Sequence, residues 1–246
     1  MKFIIVTTIF LITSCGSMLI PKADVQKVKQ IDKLAESYMF KGTKSIGPSK
    51  KMSEALQKGQ WVASLSTDKK SGEKTLMIRK VVSVDKKSIT LETETYSSQS
   101  EGPEKPMVVQ QTINGYPKSF AVDGNANFAQ MLGSLEISSM KMKDGDKEVQ
   151  DMSEISKSPL ATIGIKNIAG KIELGAVSKI NCETPYIKSS QCYNVPFKMG
   201  VLGFNISGSY LQNSNVPIVS YLSVDCEQNS EIVIGYGNKG QNIIIK

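Results

Sequence analysis

Hydrophobic and polar positions change period along this chain. In residues 24–41 the apolar side chains Val25, Val28, Ile31, Leu34, Tyr38 and Met39 recur every three or four positions, with lysines and acids between them. That spacing predicts an amphipathic helix, with Asp24 as its N-cap and Gly42 as its stop. Residues 43–51 form a loop with Gly47 and Pro48, and residues 52–58 a short helix ended by Gly59. The period then drops to two. Residues 60–67 read as a strand with Trp61, Ala63 and Leu65 on one face. Strands over 75–84, 88–96 and 106–113 follow, separated by polar segments at 68–74, 85–87 and 97–105. In the third of these four strands Ile89 and Leu91 are expected to face inward, and Thr90, Glu92 and Glu94 outward. Asn114-Gly115 is a tight-turn signal, so the whole stretch reads as an antiparallel meander.

The middle is less periodic. A short helix is expected over 125–132, strands over 135–142 and 147–152 paired around Asp144-Gly145, and a helical turn within 152–168. Strands then resume at 172–180, 191–199, 203–211, 217–224, 231–236 and 242–245. The sum is an α+β chain of roughly ten strands in two runs, with helices before and between them.

The first residues break the pattern. Behind Lys2, residues 3–12 are almost wholly apolar, and Thr13, Ser14, Cys15 and Gly16 follow. An apolar run of that length fits a secretory signal, about 7–15 residues, and is too short to cross a bilayer as a helix, which takes roughly 20. Ile12-Thr13-Ser14-Cys15 resembles the bacterial lipobox, with Ile12 where leucine is usual. The resemblance implies a signal peptide over 1–14, a diacylglyceryl group on Cys15, a tether over 15–23 and a single β-rich domain over 24–246. An ordinary signal peptide with an unmodified Cys15 is the alternative. Gly16 is not aspartate, which under enterobacterial sorting points to the outer membrane of the envelope.

Composition narrows the chemistry. The formal charge of +7 comes almost wholly from lysine, because Arg79 is the only arginine. Nucleic-acid readers rely on arginine forks, so no nucleic-acid partner is expected, and the lysines read as a solvated surface. The chain has no histidine. That removes Ser-His-Asp and Cys-His catalysis and most catalytic zinc sites. Ser-x-x-Lys occurs four times, from Ser66, Ser71, Ser83 and Ser138, about as often as composition alone gives. Asp144-Gly145-Asp146 lacks the spacing of a calcium loop. No enzyme activity, cofactor or metal is expected. An exported chain meets an oxidising compartment. Cys182 and Cys192 flank a turn and are expected to pair, with Cys192–Cys226 as the competing disulfide.

Three stretches together resemble bacterial envelope proteins of the LolA-like class. They are Gly59-Gln60-Trp61-Val62 opening the meander, Thr184-Pro185 followed by Cys192-Tyr193-Asn194-Val195, and Asn215-Val216-Pro217-Ile218 followed by Gly235-Tyr236-Gly237. The resemblance implies a strongly curved antiparallel half-barrel packed on one or more helices, with an apolar concave face able to hold acyl chains. Trp61, Leu65, Leu76, Ile78, Ile89 and Leu91 would then line a site for a lipid or other apolar ligand. The same alternation fits a closed core filled by the first helix. It fits equally a structural or surface lipoprotein contacting another envelope or host protein.

Overall fold

A computed structural model describes residues 22–49, 56–100, 102–115, 136–156, 172–201, 204–239 and 241–245. The predicted signal segment with Cys15, and the helix over 125–132, lie outside the described residues. So do most of the helix over 52–58 and of the stretch 152–168.

The first helix forms where the spacing places it. In α1 (Val25–Glu36), Asp24 Oδ1 accepts from the backbone N–H groups of Gln26 at 2.8 Å and Lys27 at 3.4 Å. Those bonds satisfy donors that the first turn leaves without helical partners. Ile31 and Ala35, one turn apart, are fully buried, whereas Val25 at the start of the stripe stays exposed. The helix ends five residues before Lys41. Tyr38 N–H closes back on the Ala35 carbonyl, and the chain turns away so that Phe40 N–H reaches the Ile234 carbonyl.

Among the described residues the strands form one open sheet of thirteen members. They are β1 (Lys44–Ile46), β2 (Trp61–Asp68), β3 (Lys74–Val84), β4 (Ser88–Ser97), β5 (Met107–Asn114), β6 (Glu136–Asp144), β7 (Gln150–Asp151), β8 (Ile172–Leu174), β9 (Ser178–Glu183), β10 (Ile187–Val201), β11 (Phe204–Gln212), β12 (Tyr221–Cys226) and β13 (Asn229–Gly237). A single helical turn, α2 (Ser153–Ser156), follows β7. The order is β1-β10-β11-β12-β13-β2-β3-β4-β5-β6-β7, with β8 and β9 also on β10. Only β1 on β10 is parallel. Two antiparallel runs are therefore sewn together where β13 pairs β2. Register shifts in five of the ladders, such as the one between Val233 and Gly235, bend the strands and curve the sheet.

Among the described residues the expected sheet-dominated fold is present, with more strands than the sequence pattern suggests. Predicted strands β2 to β5 fall within one or two residues of their observed bounds. The expected strand over 172–180 splits at Gly175 into β8 and β9, because both lie along β10 and the chain must step between them. Residues 217–219 form a turn, with Ile218 and Ser220 at positive φ, so β12 starts only at Tyr221. Residues 242–245 join no ladder. Gly115 does take a left-handed φ of 69°, but β5 pairs with β6, which begins at Glu136, so no two-residue hairpin closes there.

Both faces of the sheet are covered. On one, Ile31 and Ala35 of α1 pack on Ala63, Leu76, Ile78 and Ile234. Each buried leucine or isoleucine among them contributes about 1.5–3 kcal/mol relative to exposure. On the other, Val62, Val81, Ile89, Leu91 and Ile113 join a larger cluster that includes Val195, Phe197 and Leu222. Gly235 lets the segment after α1 approach: a Cβ there would fall on the Tyr38 carbonyl oxygen.

Candidate functional site

The chemistry-bearing side chains of the central strands are buried on both faces of the sheet. On the α1 face, Lys80 of β3 stands directly opposite Glu92 of β4, and Glu94 is its diagonal neighbour. Opposite charges so placed attract across a ladder. Lys80 is 3% exposed, Glu92 0% and Glu94 3%. Lys80 Nζ pairs with Glu94 Oε1 and lies 3.7 Å from Glu92 Oε1. Tyr96 donates its hydroxyl to Glu94 Oε2 at 2.8 Å. Burial first, and then the Glu94 charge, pushes the Tyr96 hydroxyl well above the ordinary tyrosine range.

This cluster holds the strap formed by residues 242–245. Glu92 accepts the N–H of Ile244 at 2.9 and 3.1 Å and that of Ile245 at 2.9 Å. Lys80 donates to the Asn242 carbonyl, and Gln110 Nε2 donates to the Ile245 carbonyl at 2.7 Å. The strap thus satisfies its backbone through side chains, which explains why an apolar segment expected to be a strand joins no ladder. Trp61 Nε1 donates to the Lys239 carbonyl at 3.2 Å and ties down the approach to the strap.

On the opposite face, Arg79 and Glu231 are fully buried and 3.2 Å apart. Arg79 Nη1 also donates to Ser64 Oγ at 2.9 Å, and Tyr221 donates its hydroxyl to Glu231 Oε1 at 2.8 Å. Complete burial, reinforced by the Glu231 charge, raises the Tyr221 hydroxyl far above its usual value. Buried pairs of this kind add little net stability but penalise any arrangement that leaves one partner alone. A one-residue slip of β3 would move Arg79 and Lys80 to the wrong faces, so the two clusters fix register.

These placements correct the outward orientation expected of Glu92 and Glu94, and the expectation that the basic residues are simply solvated. Arg79 carried a signal: a lone arginine directly after Leu76-Met77-Ile78 in a lysine-rich chain. Glu92 carried none, since its backbone partners lie 152 and 153 positions away.

The six residues expected to line a ligand site do not share a face. Leu76 and Ile78 lie fully buried under α1, with Trp61 and Leu65 packed beside them. Ile89 and Leu91 point to the other side, because Ile78 stands opposite Glu94 and Leu91 is out of phase with it by an odd number of positions. Cys182 and Cys192 form the expected disulfide, joining β9 to β10, with their Cα atoms 5.9 Å apart. Cys226, the competing partner, lies buried on β12. A surface groove near Asp144-Gly145-Asp146 is lined by Ser100, Lys105 and Lys147. Its acids already pair, Asp146 with Lys105 at 2.5 Å and Asp144 with Lys147 at 2.6 Å.

No family model and no curated protein matches the chain. Two solved structures show some likeness. One, described as an exported protein with a YmcC-like fold from Bacteroides fragilis, is 9% identical, with 76% of this chain and 99% of that chain covered and a TM-score of 0.38. The other, described as a lipoprotein from Parabacteroides distasonis, is 11% identical, with 77% and 99% covered and a TM-score of 0.33. Neither is described as LolA-like, and at these TM-scores the likeness carries no inference about fold or function.

Proposed function

We propose that this chain is a non-enzymatic bacterial envelope lipoprotein, anchored through a lipidated Cys15, whose sheet is a rigid scaffold for contacts with other envelope components. The observation that carries the proposal is the opening: Lys2, the apolar run over 3–12, and Ile12-Thr13-Ser14-Cys15. Several acyl chains on the mature end would anchor it firmly, since each buried CH₂ contributes about 0.8 kcal/mol. The scaffold reading replaces that of an acyl-chain carrier because α1 fills the face that Leu76 and Ile78 were expected to open to ligand. Outer-membrane placement follows from Gly16 under enterobacterial sorting and belongs to the same proposal.

Radiolabelled palmitate fed to a bacterial host expressing the full chain tests the anchor. Label should enter the wild type and be absent from Cys15→Ala. Equal labelling of both would sink it. Native mass spectrometry of the purified protein tests the scaffold. A mass without bound lipid is expected, and a lipid adduct lost on denaturation would restore the carrier.

A further inference from the structure

Strands β8 and β9 lie along one side of β10. Lys188 pairs with Glu183 of β9 and with Ser45 of β1, and Phe197 with Leu174 of β8 and Gly208 of β11, so β1 and β11 take the other side. β8 and β9 therefore form an outer edge of the sheet, and no described strand pairs with them there. Every residue of β9 except Cys182 is exposed, Ile180 to 37%. Such an edge offers a row of N–H and C=O groups to another strand. The Cys182–Cys192 disulfide clamps β9 onto β10 and holds that row in place.

The turn after β9 fixes which residues aim outward. Thr184 N–H bonds to the Ile187 carbonyl at 2.8 Å, so Thr184 turns its backbone groups to β10. Those groups alternate sides along an antiparallel strand. Cys182 and Ile180 therefore face β10, whereas Glu183, Asn181 and Lys179 turn their N–H and C=O to the open side. The bulge in this ladder does not disturb the alternation. Cys182 pairs with Ser189 and Ile180 with Cys192, so the extra residue sits on β10 and β9 stays regular.

Charge selects the strand that fits. Lys179, Asn181 and Glu183 also project from one face of β9. Neither Lys179 nor Glu183 has an ion-pair partner among the described residues, and Lys179 Nζ lies 5.9 Å from the Tyr193 ring centroid. Run antiparallel to itself about Asn181, β9 sets Lys179 of each copy opposite Glu183 of the other. All three outward-facing residues then meet outward-facing residues. An axis between two residues would set outward groups against inward ones. An axis at Ile180 sets Lys179 opposite Asn181, and one at Cys182 sets it opposite Pro185, which has no N–H.

We infer that β9 is a self-association edge: two copies of this chain pair β9 with β9, antiparallel, about a two-fold axis through Asn181, and join their sheets. The contact uses the same residues on both copies and closes at two. Ile180 of each copy stands opposite Cys182 of the other, which covers part of its exposed side chain. The pairing uses no part of the anchor, so it stands whether or not Cys15 carries lipid.

Sedimentation equilibrium of the full chain in detergent, from about 1 μM to about 0.1 mM, tests the pairing. The wild type should pass from one to two copies per particle as concentration rises. Lys179→Glu and Glu183→Lys each turn two attractions into two repulsions, and each should weaken association by about tenfold or more. The double variant Lys179→Glu/Glu183→Lys restores both pairs and should return to within about threefold of the wild type, although it lacks the Lys179–Tyr193 contact. Asn181→Pro removes the outward N–H at the axis, which the fold of one copy does not use, and should stay monomeric. A wild type that is monomeric throughout overturns the self-association edge. Association that is unchanged in both single charge variants, or not rescued in the double variant, overturns it as well.

Discussion

Lys80→Met removes the one cation between two buried carboxylates. In the wild type Lys80 is within 3.7 Å of Glu92, pairs with Glu94, and caps the strap at Asn242. The methionine has similar bulk, so little of the cost comes from a cavity. What remains is the penalty of leaving Glu92 and Glu94 near each other in a site that is at most 3% exposed. Breaking such a buried pair costs about 3–5 kcal/mol, which for a domain of this size lowers Tm by roughly 6–20 °C. Glu92 keeps its bonds to Ile244 and Ile245, which holds the loss towards the lower half of that range. The chain's single tryptophan is a built-in probe: Trp61 stands opposite Lys80 in the ladder and binds the Lys239 carbonyl. Urea unfolding followed by its fluorescence should show a lower midpoint at unchanged slope. Adding Glu94→Gln removes one buried charge while keeping an acceptor for Tyr96. The double variant should recover about 1–2 kcal/mol relative to Lys80→Met alone. A single variant within about 1 kcal/mol of wild type, or strict additivity in the pair, would refute the claim that these charges form one buried unit.

Gly235→Ala should be poorly tolerated, because its methyl meets the Tyr38 backbone. A loss of about 3 kcal/mol or more is expected in chemical denaturation, with early hydrogen exchange at Phe40. Replacing Cys182 and Cys192 by serine opens a loop of sequence separation 10 and should cost somewhat under about 3 kcal/mol, read from midpoints under non-reducing conditions. Tyr210 and Tyr221 have hydroxyls raised by burial. Below pH about 10 both states keep these protons. Above it the unfolded chain releases them while the folded chain retains them, so stability falls as pH rises. Each group steepens the fall by up to about 1.4 kcal/mol per pH unit. Tyr221→Phe should flatten the slope, and an unchanged slope would count against its burial.

The legible parts of the fold were those set by local chemistry. Asp24 before an apolar stripe gave the helix start, and alternation bounded by polar turns gave β2 to β5. The helix end was not legible, because it depends on Phe40 bonding to Ile234, far along the chain. Residues 242–245 carry strand-like side chains, yet their partners are the Glu92, Lys80 and Gln110 side chains. Alternation marked Glu92 and Glu94 as out of phase with Ile89 and Leu91. It could not tell that a helix and a strap cover the face to which they point. Of the proposed sites, the disulfide was legible from cysteine spacing around a turn. The common ligand face was not, because the odd step between Ile78 and Leu91 emerges only from the register of β3 on β4.

The seam between β13 and β2 bears on when the domain can finish folding. It lets Arg79, one strand beyond the seam on β3, reach Glu231 on β13, 152 residues away. Closing a loop of that length costs on the order of 4–5 kcal/mol beyond a constant term, and contacts so distant slow the assembly of a sheet. Until β13 has been synthesised, β2 lacks one neighbour and Arg79 lacks its carboxylate. A nascent chain therefore cannot complete this sheet before β13 emerges. In a chain exported as proposed above, closure this late would favour completing the fold on the far side of the membrane.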